Sequence, residues 1–261
     1  MFVKWYVDSS LAPEIKFIIQ NMSQALTRQK NIPVELVSRE DSLLSRFMRS
    51  VSGDLLHIFG NAPLMKLHSK IVQTLFDDDI RVKKNWLGSN RKNFNITRSR
   101  FFLTDARDGD EIILPNFGSL SLSSQEIKRG IFTNGSMDLP ENISAIDISG
   151  KITRSEVLDG IYVASGVDQL EALRAGILTM RGVSIASRKS EYLDEIIGSE
   201  NYFVIPQDDS EFANLREILD SGLSDKGRKL ATSARHYVNE NHSEKKCADS
   251  ILELYERVMQ A

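Results

Sequence analysis

The sequence predicts an α/β protein built from two doubly wound lobes. Three observations support this. Short apolar runs alternate with segments of helical spacing near both ends of the chain. A strand-like run closed by Pro115 and Asn116 interrupts the alternation near the middle. The last segment, residues 245–259, carries a continuous apolar stripe of Ala248, Ile251, Leu252, Tyr255 and Val258.

Residues 1–8 alternate towards a first strand, and residues 11–29 have helical spacing with Pro13 tolerated in the first turn. Residues 34–37 form a second strand and residues 41–48 a helix. Residues 54–59 form a third strand that Gly60 ends. The spacing then predicts a helix over 64–76, with Leu64, Leu67, Ile71 and Leu75 on one face. This βαβ series predicts a small first lobe. Residues 111–114 read as a strand, so the lobe boundary is expected between about 105 and 120. Farther on, Val183 to Ala186 is a short apolar strand, residues 191–197 a helix and residues 202–205 another strand. Pro206 ends that strand, and Asp208, Asp209 and Ser210 are expected caps for the next helix. The expected domains are residues 1–110, residues 111–244, and a terminal helix over 245–261.

Composition narrows the functional classes. A chain of 261 residues with 41% hydrophobic and 26% charged residues can bury one large core or two small ones. No apolar run reaches the roughly 18 residues that a membrane span needs. The N-terminus, Met1-Phe2-Val3-Lys4-Trp5-Tyr6, reads as a strand and not as a signal peptide. The single cysteine, Cys247, excludes an internal disulfide and points to a reducing cytoplasm. A net charge of −3 gives no overall attraction to nucleic acid, which is therefore a disfavoured partner. One stretch departs from that balance. Arg81, Lys83, Lys84, Arg91, Lys92, Arg98 and Arg100 lie together, with Trp86 and Phe94 among them and no acid between. They form either a solvated basic loop or a patch facing a phosphate.

The run Gly182-Val183-Ser184-Ile185-Ala186-Ser187, then Glu195-Ile196-Ile197, then Phe203-Val204-Ile205-Pro206-Gln207-Asp208 has a familiar order. It resembles the C-terminal half of the retaining, nucleotide-sugar-dependent glycosyltransferases with the GT-B fold, of bacterial surface-polysaccharide type. The tail from Ala231 to Met259 is similar to that family's closing helices, and Ile113-Leu114-Pro115-Asn116 to an element near its hinge. The resemblance implies a shortened GT-B protein whose last helix crosses back to the first lobe. It implies a nucleotide-sugar donor, a saccharide or lipid-linked acceptor, and no metal or other cofactor. The setting it implies is the cytoplasm, at the inner face of the membrane.

The same resemblance suggests site residues and exposes departures from the family. The family holds the donor with a Glu-x7-Glu pair, and here only one carboxylate of the pair survives. An ungapped match puts Asp168 at the first position, following Ala164-Ser165. A shifted match puts Glu171 on the family's Glu-Ala-Met element. Both acids also suit a helix start without any further role. Lys128 and Arg129 stand as the basic pair for the diphosphate, or as charges flanking a strand. With Ser165 and Glu171 they make the donor-binding set. His57, in Asp54-Leu55-Leu56-His57-Ile58-Phe59, matches a family histidine, and it also fits a satisfied core position. Asn85-Trp86-Leu87-Gly88-Ser89-Asn90 resembles an acceptor-side element, which Arg91 and Lys92 extend, although Gly88-Ser89-Asn90 also reads as a turn. The catalytic candidates are Asp168, Glu171 and His57.

The damaged carboxylate motif keeps a second reading open: a non-catalytic relative that binds glycan or partners an active glycosyltransferase. Other chemistries lack their motifs. No phosphate-binding glycine loop, zinc-protease motif, serine-hydrolase elbow or calcium loop is present. His57, His68, His236 and His242 have no metal-ligand spacing.

Overall fold

The structure, a computed structural model, describes residues 1–38, 54–60, 70–76, 96–118, 127–135, 143–149, 152, 157–164, 166–206 and 211–261. The chain forms two compact units. The first comprises Met1–Ala12, Ile18–Asn116 and Glu244–Ala261; the second comprises Pro13–Phe17 and Phe117–Ser243. Among the described residues, no helix is long and apolar enough to cross a membrane.

The first unit contains a parallel six-stranded sheet. Its strands are β1 (Val3–Val7), β2 (Val34–Ser38), β3 (Leu55–Phe59), β4 (Ile71–Thr74), β5 (Ile96–Arg100) and β6 (Glu111–Ile112), in the order β2-β1-β3-β4-β5-β6. Strand β1, paired on both edges, buries Val3, Lys4 and Trp5 in succession, as a parallel sheet covered on both faces requires. Helix α1 (Pro13–Lys30) starts on a proline whose missing N–H has no partner to lose. It ends at Asn31 in the left-handed conformation, φ 54°, with the Asn31 N–H on the Thr27 carbonyl. Ile18, Ile19, Met22, Ala25 and Leu26 form its buried stripe.

The expected helix over 64–76 is corrected by the structure. Residues 70–76 are extended, with β4 pairing in parallel to β3 and β5. Residues 64–69 lie outside the described residues. Ile71 and Leu75 are spaced for a helix, but Ile71, Val72 and Thr74 are β-branched and fully buried on both sides of the strand. Pairing and burial outweigh a short periodic signal.

The second unit contains β7 (Ile127–Thr133), β8 (Ile146–Asp147), β9 (Val157–Val163), β10 (Ser184–Ser187) and β11 (Phe203–Val204), all parallel, in the order β11-β10-β9-β7-β8. Its further helices are α2 (Gln169–Met180), α3 (Glu191–Ile197), α4 (Glu211–Gly222) and α5 (Asp225–Asn241). Ile161, Val163, Ala186, Phe203, Ile205, Leu215 and Leu219 make one buried core. Two glycines are dictated by packing. A Cβ on Gly160, which has φ +155°, would lie 1.9 Å from the Gly130 carbonyl oxygen on the paired strand. One on Gly176 would lie 2.4 Å from the Phe117 ring. The expected caps Asp208, Asp209 and Ser210 fall outside the described residues.

The final helix, α6 (Glu244–Gln260), belongs to the first unit and buries Cys247, Ala248, Ile251, Leu254, Tyr255 and Val258 there. Tyr255 connects it to the sheet through a chain of polar side chains. The Trp5 indole N–H donates to the Tyr255 hydroxyl at 2.8 Å, and that hydroxyl lies 2.6 Å from His57 Nδ1. His57 Nε2 lies 2.6 Å from the Thr74 hydroxyl, which lies 2.8 Å from that of Ser99.

Candidate functional site

In parallel α/β sheets, ligand-binding groups gather beyond the carboxyl ends of the strands. In the second unit those ends carry Asn134 after β7, Tyr162 and Ala164 at the end of β9, and Arg188 and Lys189 after β10. Helix α2 opens there. Asp168 caps it in an extended conformation, and its Oδ1 accepts the Glu171 N–H at 2.9 Å. The loops after β9 and β10 are tied to each other, because the Ser190 hydroxyl donates to the Val167 carbonyl at 2.9 Å. Tyr202 completes this corner by donating to Asp194 at 2.9 Å, and Lys189 pairs with the same carboxylate at 2.8 Å.

Glu171, in the first turn of α2, is the centre of the site. It is almost fully buried and accepts hydrogen bonds from three side chains. Asn134 Nδ2 donates to Oε1 at 2.6 Å, Tyr162 donates to Oε2 at 2.9 Å, and an Arg174 N–H also reaches Oε1. The same guanidinium donates through Nε to Glu14 at 3.1 Å. Glu14 lies in the first turn of α1, which groups with the second unit. Burial and the Glu171 charge push the Tyr162 hydroxyl well above its ordinary range, so it remains a donor. Burial acts to lower the Arg174 pKa, but the hydrogen bond and charge of Glu171, with the charge of Glu14, raise it overall.

The other expected site residues are distributed differently. Asp168 is exposed at the same helix start as Glu171. Ser165 and the acceptor-side residues Asn85, Trp86, Gly88, Ser89, Asn90, Arg91 and Lys92 lie outside the described residues. Lys128 and Arg129 lie at the amino end of β7, about 17 Å of strand from its carboxyl end. As neighbours on a strand they also point to opposite faces. Arg129 reaches Asp159 at 3.5 Å and the Leu223 carbonyl at 3.4 Å, and so joins β7, β9 and the turn after α4. Of the two expected readings of this pair, a diphosphate contact and charges flanking a strand, the position at the amino end of β7 fits the second. His57 lies in the first unit with no exposed surface and both ring nitrogens hydrogen-bonded. Burial lowers its pKa to about 3, so the ring is neutral near pH 7. Such a ring acts as a core connector, which corrects its place among the catalytic candidates. Of the basic stretch, Arg98 is exposed, whereas Arg100 is buried and paired with Asp110 at 2.7 Å.

The sequence reading missed Asn134, Tyr162, Arg174 and Glu14. One signal was available, since Glu171 and Arg174 stand at the i,i+3 spacing that joins charges on a helix.

No protein-family model matches the sequence, and no curated protein matches it. Among solved structures, the chain is similar to a glycosyltransferase from Rickettsia africae ESF-5, with a TM-score of 0.55 at 10% identity. That match covers 99% of this chain and 98% of the other. It is also similar to HepE from Anabaena in complex with UDP, with a TM-score of 0.54 at 12% identity over 98% of this chain and 100% of the other. At such identities the likeness concerns the fold. Two parallel α/β units in this arrangement of elements are a glycosyltransferase fold of the GT-B class.

Proposed function

We propose that this chain transfers a sugar from a nucleotide diphosphate donor to a saccharide or lipid-linked acceptor, with the donor held by the second unit. The supporting observation is the first turn of α2, where the exposed Asp168 and the oriented carboxylate of Glu171 stand together at the strand ends. Helix-start amides suit the diphosphate, and carboxylates suit the hydroxyls of the ribose and the sugar. The glycosyltransferase fold adds support, as does the similarity to a protein crystallised with UDP.

In this reading Glu171 accepts a hydrogen bond from the donor nucleotide, and Asp168 faces the donor sugar beside Ser165. Residues 85–92 serve the acceptor. The helix start offsets charge on the departing diphosphate, and the transfer is retaining and needs no metal. The protein works in the cytoplasm at the membrane face during glycan assembly. A second reading is favoured by one observation: Glu171 already accepts from three side chains. That is the pattern of a non-catalytic relative partnering an active glycosyltransferase.

Calorimetric titration with UDP, ADP, GDP and CDP separates the two. The donor reading expects binding of at least one nucleotide, weakened at least fivefold by Asp168→Asn when the sugar-bearing form replaces the diphosphate. Failure of all four nucleotides to bind leaves the accessory reading.

A further inference from the structure

Lys128 and Arg129 stand at the amino end of β7, so donor phosphates at the carboxyl ends of the strands need a cation from elsewhere. The second unit places two adjacent cations there. Arg188 and Lys189 follow β10 directly, and both are exposed. Backbone bonds fix where this segment runs. The Ala164 N–H donates to the Ala186 carbonyl at 2.9 Å, and the Ile205 N–H donates to the Ser187 carbonyl at 2.8 Å. The segment therefore leaves the sheet between the ends of β9 and β11, beside the loop that opens α2.

A cation on a loose loop is a poor anion ligand, because binding must first order it. This segment is already ordered. The Ser190 hydroxyl holds it to the Val167 carbonyl at 2.9 Å, and the Ser190 N–H donates to the Tyr202 hydroxyl at 3.3 Å. The Lys189 ammonium pairs with Asp194 at 2.8 Å and stands 5.8 Å from the centre of the Tyr202 ring. Lys189 is thus committed to the same corner that receives Ser190. We infer that Arg188 is the phosphate-binding cation of this unit, and that Lys189 is a positioning residue that holds the Arg188 segment against Asp194 and Tyr202. The inference rests on the donor reading above and names the residue that meets the diphosphate. A planar guanidinium offers parallel N–H groups to two phosphate oxygens, a match that an ammonium lacks.

The test uses the full chain, titrated with whichever of UDP, ADP, GDP and CDP binds best, and with the nucleoside of that nucleotide. Arg188→Gln is expected to lower affinity for the diphosphate about tenfold, the size of one charge-assisted hydrogen bond, and to change nucleoside affinity less than about twofold. Arg188→Lys should recover part of the loss. Lys189→Gln should weaken diphosphate binding about threefold, and that loss should vanish when Arg188→Gln is already present, because a positioning residue acts through the one it positions. Lys128→Gln should bind both ligands as the wild type does. Equal losses for nucleoside and diphosphate in Arg188→Gln overturn the phosphate contact, as does a larger diphosphate loss in Lys128→Gln than in Arg188→Gln. Losses from Arg188→Gln and Lys189→Gln that simply add overturn the positioning role. If the wild type binds no nucleotide at all, the donor reading falls and this inference with it. If it binds one and Arg188→Gln behaves like wild type, only this inference falls.

Discussion

Each unit buries a polar network, and the two are built on opposite principles. In the first unit, Trp5, Tyr255, His57, Thr74 and Ser99 form a chain of neutral groups in which donors and acceptors can be matched throughout. An indole can only donate, so Tyr255 accepts from Trp5 and turns its own proton to His57 Nδ1. A neutral His57 that accepts on Nδ1 carries its proton on Nε2 and donates to Thr74, and either of the Thr74 and Ser99 hydroxyls can donate to the other. In the second unit, Glu14, Arg174 and Glu171 are charged groups, and among the described residues acid exceeds base there and one carboxylate oxygen lacks a hydrogen-bond partner. A neutral chain with matched donors and acceptors rigidifies a core; a buried cluster with more acid than base gains less from folding.

The largest expected effect tests the neutrality of the first network. Burial lowers the folded-state pKa of His57 to about 3 from an ordinary value of 6.5. The unfolded chain therefore binds a proton in that window when the folded chain does not, and stability rises with pH there. The contribution is complete above pH 6.5 and is lost as pH falls towards 3, about 5 kcal/mol in all. His57→Gln, compared with wild type in urea titrations at several pH values, should lack this slope. Equal slopes would mean that His57 is protonated in the fold and that the chain is not neutral.

Next in size is Tyr255→Phe, which strands the Trp5 N–H and His57 Nδ1 together. Two buried unpaired groups should cost about 2 to 4 kcal/mol, read as a lower urea midpoint at unchanged slope. A cost below about 1 kcal/mol would show that the chain relaxes and does not pin the helix.

The smallest effect sharpens the contrast from the other unit. Asp168→Ala removes the α2 cap and should cost about 1 kcal/mol, whereas Asp168→Asn keeps the cap and should change stability by less than about 0.5 kcal/mol. If the asparagine variant nevertheless loses affinity for the sugar-bearing donor, Asp168 acts through its charge. If both variants affect only stability, Asp168 is a cap and nothing more.

The sequence revealed some of these features better than others. The strands at 3–7, 34–38 and 55–59, and the helices at 13–30, 191–197 and 244–260, announced themselves through local apolar spacing and end signals. Residues 71–74 did not, because four residues are too few to separate a period of two from one of 3.6. Asp168 and Glu171 were legible as acids at a helix start. Lys128 and Arg129 looked like a pair because they adjoin in sequence, yet adjacency on a strand separates side chains. Asn134 and Glu14 were not legible. Asn134 meets Glu171 across 37 positions and Glu14 meets Arg174 across 160, distances over which only the completed fold makes neighbours.

The assignment of α6 to the first unit has a consequence for synthesis. A chain emerging from the ribosome lays down β1 to β6 early, but the tyrosine that completes their buried chain arrives 250 positions after Trp5. Until residues 244–260 emerge, the face that will receive Cys247, Ala248, Ile251 and Leu254 stays open to water and to chaperones. Residues 117–243, by contrast, need wait only for themselves, since Glu14 is already outside. The later-made unit should therefore close first. Ribosome-stalled chains ending near residue 243, read by protease resistance of each half, would reverse that order if the first half were already protected.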